Sequence, residues 1–285
     1  MKTLHKALTK LWLRKYRKKQ IQPSVRAVFL GDNVSTKIIL EGLYERFELE
    51  ALENTLFPLL DDNSNCLDIG ANIGNHACVF AKYFKNVYAF EPNPQTRCVL
   101  NANTIGRNIK VFDCGLSDND GKAYFQQDFV NLGGSRIVED GNLADFSIDV
   151  RTLDDVIVKE GISSVSFVKI DVEGHEAKVL QGGRQFFESQ KPIIGMEAFF
   201  KDTPALGAEI HQILMSMGYQ HFYTLSPKTY LSHLMIANMP GFLCSLACAI
   251  LPERVMKTLE LKEIQTILGS NHQVLVCSHY KLNIS

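Results

Sequence analysis

Short apolar runs alternate with helical patterns through most of the chain. Runs with the character of β-strands occupy five segments, residues 65–70, 86–91, 110–114, 165–171 and 192–197. Between most of these runs, apolar residues recur at the spacing of an amphipathic helix. Parallel strands need such crossovers, because the chain must return to the start of the next strand. The sequence therefore predicts an α/β fold built on a mostly parallel sheet.

The alternation is interrupted twice. Residues 121–150 alternate in β fashion around a polar stretch that contains Gly133 and Gly134, which predicts a β-hairpin inserted at the edge of the sheet. Residues 229–268 also depart from the pattern, and we interpret them as a helical insertion. A last strand is expected near residues 273–277.

The N-terminal segment, residues 1–20, has the pattern of a basic amphipathic helix. Leu4, Leu8 and Leu11 fall on one face and lysines on the other. Such a helix either attaches to an anionic membrane surface or an acidic partner, or packs as a solvated helix on its own domain. It lacks the continuous apolar core of a signal peptide. The uncharged segment 234–251 is broken by a Pro-Gly pair, so we interpret it as buried or interfacial.

Charge and cysteine content narrow the class of protein. The 30 basic and 31 acidic residues leave a net charge of -1, which gives no general attraction to nucleic acid. The seven cysteines form no paired motif, which favours reduced thiols in a cytoplasmic protein.

A glycine-rich turn follows the first strand, where Asp68, Gly70, Asn72 and Gly74 precede a helical run. Glycine lets backbone approach a ligand closely, and amides at a helix N-terminus favour an electron-rich group. Ordinary tight-turn chemistry is the alternative interpretation. Asp68 is suited to a cationic group such as an ammonium.

Glu91 ends the second strand and points to a ligand that contains ribose. An acid at this position can accept hydrogen bonds from a ribose diol. Pro94 also has the position of a first-turn proline capped by Asn93, so a helix start is the structural alternative for this segment.

A dehydrogenase would use the same acid on its ribose, so the spacing of the glycines has to separate the two classes. Dinucleotide binding favours G-x-G-x-x-G, in which the middle glycine admits a pyrophosphate. Asn72 replaces that glycine here, and the negative charge of Asp68 suits a pyrophosphate poorly. The sequence therefore disfavours NAD.

Ionisable residues gather where the fourth predicted strand ends. Asp171, Glu173, His175 and Glu176 follow one another there, and strand ends of this kind face the ligand crevice. We expect site roles for Asp171 and Glu173, whereas Glu176 is also explained as a first-turn acid. His175 is equally compatible with a surface hydrogen bond.

Glu197, which ends the fifth strand, could join this cluster. Together with Asp171, Glu173 and His175 it would offer oxygen and nitrogen ligands to a divalent metal. The spacing of these residues matches no metal motif, so we expect no metal site.

These motifs resemble the FkbM-type methyltransferases, which depend on S-adenosylmethionine and mostly methylate hydroxyl groups on glycans and secondary metabolites. The resemblance covers about residues 47–200. Besides the turn at residues 68–74 and the cluster at residues 169–176, it rests on Phe90-Glu91-Pro92, Gly115-Leu116-Ser117-Asp118 with Gly121, and Thr152-Leu153-Asp154.

The resemblance implies a Rossmann-like methyltransferase fold with a seven-stranded sheet and helices on both faces. It also implies S-adenosylmethionine as the cofactor. The residues expected at the cofactor are Asp68, Gly70, Ala71, Asn72, Gly74 and Asn75 around the methionine half, Glu91 on the ribose with Pro92 and Asn93 beside it, Leu116 and Ser117 near the adenine, and Asp171.

On this basis we expect four parts in the chain: a lead-in (1–45), a catalytic domain (46–228), a helical insertion (229–268) and a closing strand with tail (269–285). The expected reaction is O-methylation of a small molecule, glycan or glycolipid, and not of nucleic acid. Asp171, Glu173 and His175 are the catalytic candidates. We expect a cytoplasmic location, with residues 1–20 in contact with the inner face of the membrane. The first alternative is a non-catalytic protein of the same fold that binds S-adenosylmethionine. The second, which the sequence favours less, is an NAD-dependent oxidoreductase.

Overall fold

The structure is a computed structural model, and it describes residues 27–128, 131–199, 203–228, 258–265, 267 and 271–284. The helix predicted for residues 1–20 and the uncharged segment 234–251 lie outside these residues. The chain divides into two compact units, Met1–Arg46 with Asp62–Pro192 and Phe47–Asp61 with Ile193–Ser285. This division follows packing, and the predicted domain bounds stay predictions.

The first unit contains a parallel sheet of four strands in the order β3-β2-β1-β8. Its strands are β1 (Asn65–Ile69), β2 (Asn86–Phe90), β3 (Ile109–Phe112) and β8 (Val165–Ile170). Every residue of β1 is buried, because this strand is central and is covered on both faces. The predicted runs match these strands to within two residues.

The helices of the first unit follow the strands as predicted. They are α1 (Asn33–Glu41), α3 (Asn75–Phe80), α4 (Pro94–Thr104), α5 (Leu153–Glu160), α6 (Glu176–Gly182) and α7 (Arg184–Gln190). The side chain of Asn93 caps α4 by accepting from the Gln95 amide, and Thr152 caps α5 in the same way. The helix start predicted at Asn93 and Pro94 is therefore confirmed.

Residues 115–151 form a second sheet in place of a simple hairpin at the edge of the parallel sheet. Its order is β4-β7-β5-β6, from β4 (Gly115–Leu116), β5 (Gly121–Gln126), β6 (Arg136–Val138) and β7 (Phe146–Arg151). The predicted hairpin is present as the antiparallel pair β5–β7, and the short strand β6, which was not predicted, pairs with the other edge of β5. The sequence did not predict that these strands form a sheet of their own, with Phe125, Ile148 and Val150 as its apolar core.

In its described residues, the second unit contains four antiparallel strands in the order β11-β10-β12-β9. Two helices accompany them there, α2 (Arg46–Thr55), which begins at the boundary between the units, and α8 (Pro204–Ser216). The strands are β9 (Ile193–Phe199), β10 (His221–Lys228), β11 (Thr258–Ile264) and β12 (Asn271–Ser278). Outside the small sheet, the described residues hold four parallel strands in the first unit and four antiparallel strands in the second, which makes eight where the resemblance implied seven.

The additional strand, β11, corrects the predicted helical insertion. Residues 258–264 alternate between polar and apolar side chains up to Leu261, and they pair with β10 along their whole length. That alternation suits a strand and not a helix. Residues 229–257 of the predicted insertion lie outside the described residues.

Candidate active site

The glycine-rich turn connects β1 to α3 in left-handed backbone. Gly70, Asn72 and Gly74 have φ values of 81°, 51° and 89°. The amides of Gly70 and Ala71 both donate to the carbonyl of Phe90, at 3.1 and 3.0 Å, which ties the turn to the end of β2. The turn is therefore fixed by backbone contacts before any ligand arrives.

The fold itself demands glycine at two of these positions. A Cβ on Gly70 would lie 1.8 Å from the carbonyl oxygen of Asp171, and one on Gly74 would lie 2.7 Å from Cδ1 of Leu100. The sequence suggested that these glycines make room for a ligand. The structure adds a reason that the sequence did not reveal, since Gly70 lets the ends of β1 and β8 approach each other.

Asp68 is a fully buried carboxylate at the end of β1. Its exposure is 0%, and neither of its oxygens accepts a hydrogen bond from the residues that the structure describes. Burying an ionised carboxylate without hydrogen bonds is costly. Its isolation fits a cationic ligand with N–H donors, which is the group the sequence assigned to it.

Lys169, on β8, is the cation next to Asp68. Its Nζ lies 3.0 Å from Oδ2 of Asp171 and 3.6 Å from Oδ1 of Asp68, and it donates to the carbonyl of Gly70 at 3.5 Å. Burial alone lowers the pKa of Lys169, but Asp171 and Asp68 outweigh it and hold the pKa above its usual range. One charged lysine therefore compensates the negative charge of two carboxylates.

Sequence reasoning assigned no role to Lys169, although a signal was available. Lys169 and Asp171 are two positions apart at the end of a strand, so their side chains leave β8 on the same face. An unlike charge pair at that spacing predicts an ion pair.

Glu91 is buried beside the glycine turn, where both carboxylate oxygens accept backbone amides. Oε2 accepts from Asn72 at 2.9 Å and Oε1 from Asn93 at 2.8 Å. Burial raises the pKa of Glu91 to about 7, and these two hydrogen bonds oppose the rise. Glu91 therefore holds the turn against α4, and each oxygen keeps a second lone pair for a ribose hydroxyl.

Two buried polar atoms near Glu91 lack a partner among the described residues. They are Nδ2 of Asn93 and Oγ1 of Thr96, in residues that are 1% and 2% exposed. Asn93 was predicted at the cofactor, whereas Thr96 was not identified from the sequence. Native proteins leave few buried polar atoms unpaired, so these two atoms are candidates for contact with a ligand.

Asn75, expected at the cofactor, uses its side chain elsewhere. Its Oδ1 accepts from the amide of Tyr44 at 3.1 Å, and its Nδ2 donates to the carbonyl of Tyr44 at 3.0 Å. Asn75 thus fastens the segment before α2 to the glycine turn. Any cofactor contact of Asn75 stays a prediction.

Glu173 occupies strained backbone directly after β8. Its φ is 53°, in the left-handed region that residues other than glycine rarely adopt. The residue is exposed overall, but its carboxyl is crowded. Partial burial, followed by Asp171 and Glu176, raises the pKa of Glu173 to about 7. Such strain persists mainly at functional sites, and this pKa suits a proton acceptor.

Glu176 begins α6 and stabilises the loop before it. Its Oε1 accepts from the amides of Gly174 and Val172, at 3.1 and 3.4 Å. Burial raises the pKa of Glu176. These contacts fit the structural role that the sequence allowed for this residue.

His175 faces a different neighbour from Asp171 and Glu173. Its Nε2 lies 2.9 Å from Oγ of Ser117, and that hydroxyl donates to Oδ1 of Asp118 at 3.0 Å. Because the hydroxyl has one hydrogen, Nε2 of His175 must donate to it, which leaves the lone pair on Nδ1. Burial, with a contribution from Lys178, lowers the pKa of His175 to about 4.

The other residues predicted at the cofactor lie in the sequence next to those already described. Ala71 is buried within the turn, and Leu116, which ends β4, and Ser117, which follows it, are buried as well. Pro92 follows Glu91, and its carbonyl accepts from Arg97 at 2.9 Å.

Glu197, the other predicted metal ligand, lies on β9 in the second unit. Within the described ranges, no three His, Cys, Asp or Glu side chains form a group that could hold a metal ion.

The site as a whole has more negative than positive charge. Asp68, Asp171 and Glu173 contribute carboxylates, and Lys169 is the cation in direct contact with two of them. A ligand with positive charge would be attracted to this crevice, whereas a pyrophosphate would be repelled.

The family-model comparison decides the class of this chain. The model described as the methyltransferase FkbM domain matches residues 68–221, more than half of the 285 residues. The chain belongs to the FkbM methyltransferase domain family. Both the glycine turn and the loop after β8 lie inside the matched segment of this FkbM-family protein.

Named relatives match a little less than half of the FkbM-family chain. Hexuronic acid methyltransferase AglP of Haloferax volcanii is 34% identical over 131 residues, which cover 45% of this chain and 53% of AglP. The 2-O-methyltransferase NoeI of Sinorhizobium fredii is 28% identical over 139 residues, covering 42% and 57%. The chain thus spans just over half the length of these relatives. The crystal structure of an FkbM methyltransferase from Methylobacillus flagellatus has a TM-score of 0.42 at 23% identity, over 70% of this chain and 53% of that one.

Proposed function

We propose that this protein transfers a methyl group from S-adenosylmethionine to a hydroxyl group of a glycan, a glycolipid or a secondary metabolite. The observation that carries the proposal is Asp68, a buried carboxylate without a hydrogen bond from the described residues, beside the glycine turn of an FkbM domain. An amino-acid ammonium supplies the donors that Asp68 lacks.

The charge of the site favours this cofactor over NAD. S-adenosylmethionine carries a positive sulfonium and a positive ammonium, whereas NAD carries a negative pyrophosphate. Asp68 would hold the ammonium, and Glu91 would accept from the ribose. Leu116 and Ser117 would border the adenine, with the unpaired Nδ2 of Asn93 as an additional donor.

When bound, the cofactor supplies an electrophilic methyl carbon. The acceptor oxygen forms a bond to that carbon, the bond from carbon to sulfur breaks, and its electron pair stays on sulfur. The acceptor proton must leave at the same time. Alignment of the two reactants supplies much of the rate, and a positioned base adds about 10² to 10⁴.

Glu173 is the base in this proposal. Its pKa of about 7 leaves a large fraction of the carboxylate ready to accept a proton at neutral pH. Asp171 is a weaker candidate, because Lys169 binds its carboxylate at 3.0 Å. His175 is hydrogen-bonded to Ser117, on the side assigned to the adenine. We therefore assign Asp171 to positioning and His175 to the cofactor.

The named relatives support an oxygen acceptor. NoeI is named for methylation at a 2-O position and AglP for a hexuronic acid. Transfer to a sugar hydroxyl by the present chain fits both names.

Transfer of tritiated methyl groups tests the proposal. The purified protein and [methyl-³H]S-adenosylmethionine would be incubated with fractionated lysate, and the labelled product would be identified. We expect an alkali-stable ether on a small molecule or glycan, and loss of labelling with Glu173→Gln. Label on nucleic acid, or no protein-dependent label in any fraction, would overturn the proposal.

We also propose that residues 1–20 attach the protein to an anionic membrane surface. The support is the basic amphipathic pattern of the sequence. Among the described residues, no helix is long and apolar enough to cross a membrane. Co-sedimentation with phosphatidylglycerol vesicles should be lost when residues 1–20 are deleted, and unchanged binding would contradict this part of the proposal.

A further inference from the structure

The small sheet has one apolar and one polar face. Phe125, Ile148 and Val150 form the core on one side. The antiparallel register places Gln126 opposite Arg136 and Tyr124 opposite Val138, so these residues share the other face. Tyr124 is 53% exposed there, with its ring next to Gly141.

Strand β6 lies between one contact with the glycine turn and one with the helix that follows Glu173. Before the strand, a Cβ built on Gly133 would lie 3.2 Å from Nδ2 of Asn72, in the glycine turn. After the strand, Oε1 of Glu139 lies 4.0 Å from Nζ of Lys178, in the first turns of α6. Strand β6 therefore passes from the cofactor turn to the helix that follows Glu173.

Arg136 begins this strand and carries a positive charge. The residue is exposed, and its guanidinium makes no ion pair or hydrogen bond with any other residue that the structure describes. Its positive charge reaches Glu173, where it opposes the rise in the pKa of that carboxyl. Lys169 also reaches Glu173 but is committed to Asp68 and Asp171.

We propose that Arg136 binds a carboxylate of the acceptor, and that the acceptor is a sugar acid methylated on a hydroxyl close to that carboxylate. This inference rests on the proposed function, because it assumes that the hydroxyl is presented to Glu173. The planar guanidinium matches a carboxylate in a bidentate pair. Tyr124, on the same face, offers an aromatic surface to the sugar ring.

A carboxylate fits this surface better than a phosphate. Arg136 is the single unpaired cation between the two contacts of β6 in the described structure, and it balances one negative charge. A phosphate monoester carries close to two charges at neutral pH and would also be repelled by Glu173 and Asp171.

Matched sugars test the inference. The p-nitrophenyl glycosides of glucuronic, galacturonic and mannuronic acid differ from those of glucose, galactose and mannose by the carboxylate. With tritiated S-adenosylmethionine, we expect at least one acid to exceed its neutral counterpart by more than tenfold in kcat/KM. Arg136→Gln should lower kcat/KM for that acid about 10- to 100-fold and erase the preference, because a charge-assisted hydrogen bond is lost.

Lys122→Gln is the control, because this residue lies on the same sheet and loses an exposed ion pair with Asp149. It should leave the preference intact. The affinity of Arg136→Gln for S-adenosylhomocysteine, measured by calorimetry, should equal that of the wild type. A fall in that affinity would assign Arg136 to the cofactor and overturn the inference. Equal use of neutral sugars, preference for glucose 6-phosphate, or no use of any acid would overturn it as well.

These results stay distinct from failure of the proposed function. If the protein binds S-adenosylmethionine and labels neutral acceptors only, the sugar-acid inference fails alone. If it neither binds the cofactor nor transfers label to any lysate fraction, the proposed function fails with it.

Discussion

The ammonium of Lys169 lies 3.0 Å from Oδ2 of Asp171 and 3.6 Å from Oδ1 of Asp68. This contact joins the ends of β1 and β8. At 3.6 Å it is too long to give Asp68 a hydrogen bond. It also separates the catalytic candidates, because Asp171 is ion-paired while Glu173 is not.

Removal of the lysine should destabilise the fold. Lys169→Met leaves two carboxylates uncompensated, one of them fully buried, and the loss should be about 3–5 kcal/mol of unfolding free energy. Lys110→Met, which breaks an exposed ion pair with Glu160, should cost less than about 1 kcal/mol. Urea denaturation measures both. Equal losses in the two variants would contradict a special role for Lys169.

The glycine turn should tolerate no side chain at Gly70. Gly70→Ala places Cβ against the carbonyl of Asp171, so we expect a loss of more than about 3 kcal/mol or failure to fold. Gly106 has a similar φ of 75° and open space around it. Gly106→Ala should therefore cost only about 1–2 kcal/mol from backbone strain. Thermal and urea unfolding of both variants distinguish a steric clash from backbone strain. A loss of only about 1–2 kcal/mol in Gly70→Ala would contradict the close approach of the Asp171 carbonyl.

The rate should depend on the ionisation of Glu173. A general base acts when deprotonated, so kcat/KM should rise with pH through an apparent pKa near 7 and level off above it. Glu173→Gln should lower kcat/KM by about 10² to 10⁴ and flatten this rise. A pH profile of both enzymes checks the assignment. Retention of the wild-type profile in the variant would exclude Glu173 as the base.

His175 should affect the cofactor and leave that profile unchanged. With a pKa of about 4, His175 is neutral throughout the range in which Glu173 titrates. His175→Ala should weaken binding of S-adenosylhomocysteine about tenfold, because the hydrogen bond that positions Ser117 beside the cofactor is lost. If His175→Ala instead removed the rise near pH 7, the base would be His175.

The strands and the acids at their ends could be predicted from the sequence, because apolar alternation and helix caps are local signals. The strands β1, β2 and β8, with Asp68, Glu91 and Asp171 at their ends, lie where that pattern put them. The cap at Asn93 was also visible, since it needs only neighbouring residues.

Contacts between distant segments could not be predicted in the same way. The hydrogen bond from His175 to Ser117 joins residues 58 positions apart, and the clash that forbids a side chain at Gly70 comes from the backbone of Asp171. The small sheet was missed for a related reason, because alternation predicts strands but does not tell which sheet they join. Strand β11 was mistaken for helix although its alternation was present.

Titration calorimetry with S-adenosylmethionine and, separately, with NAD tests the central claim most directly. We predict that the wild-type protein binds S-adenosylmethionine and not NAD. Asp68→Asn keeps the shape but loses the charge, and should weaken binding of S-adenosylmethionine about 10- to 100-fold. Binding of NAD alone, or unchanged affinity in Asp68→Asn, would contradict the account.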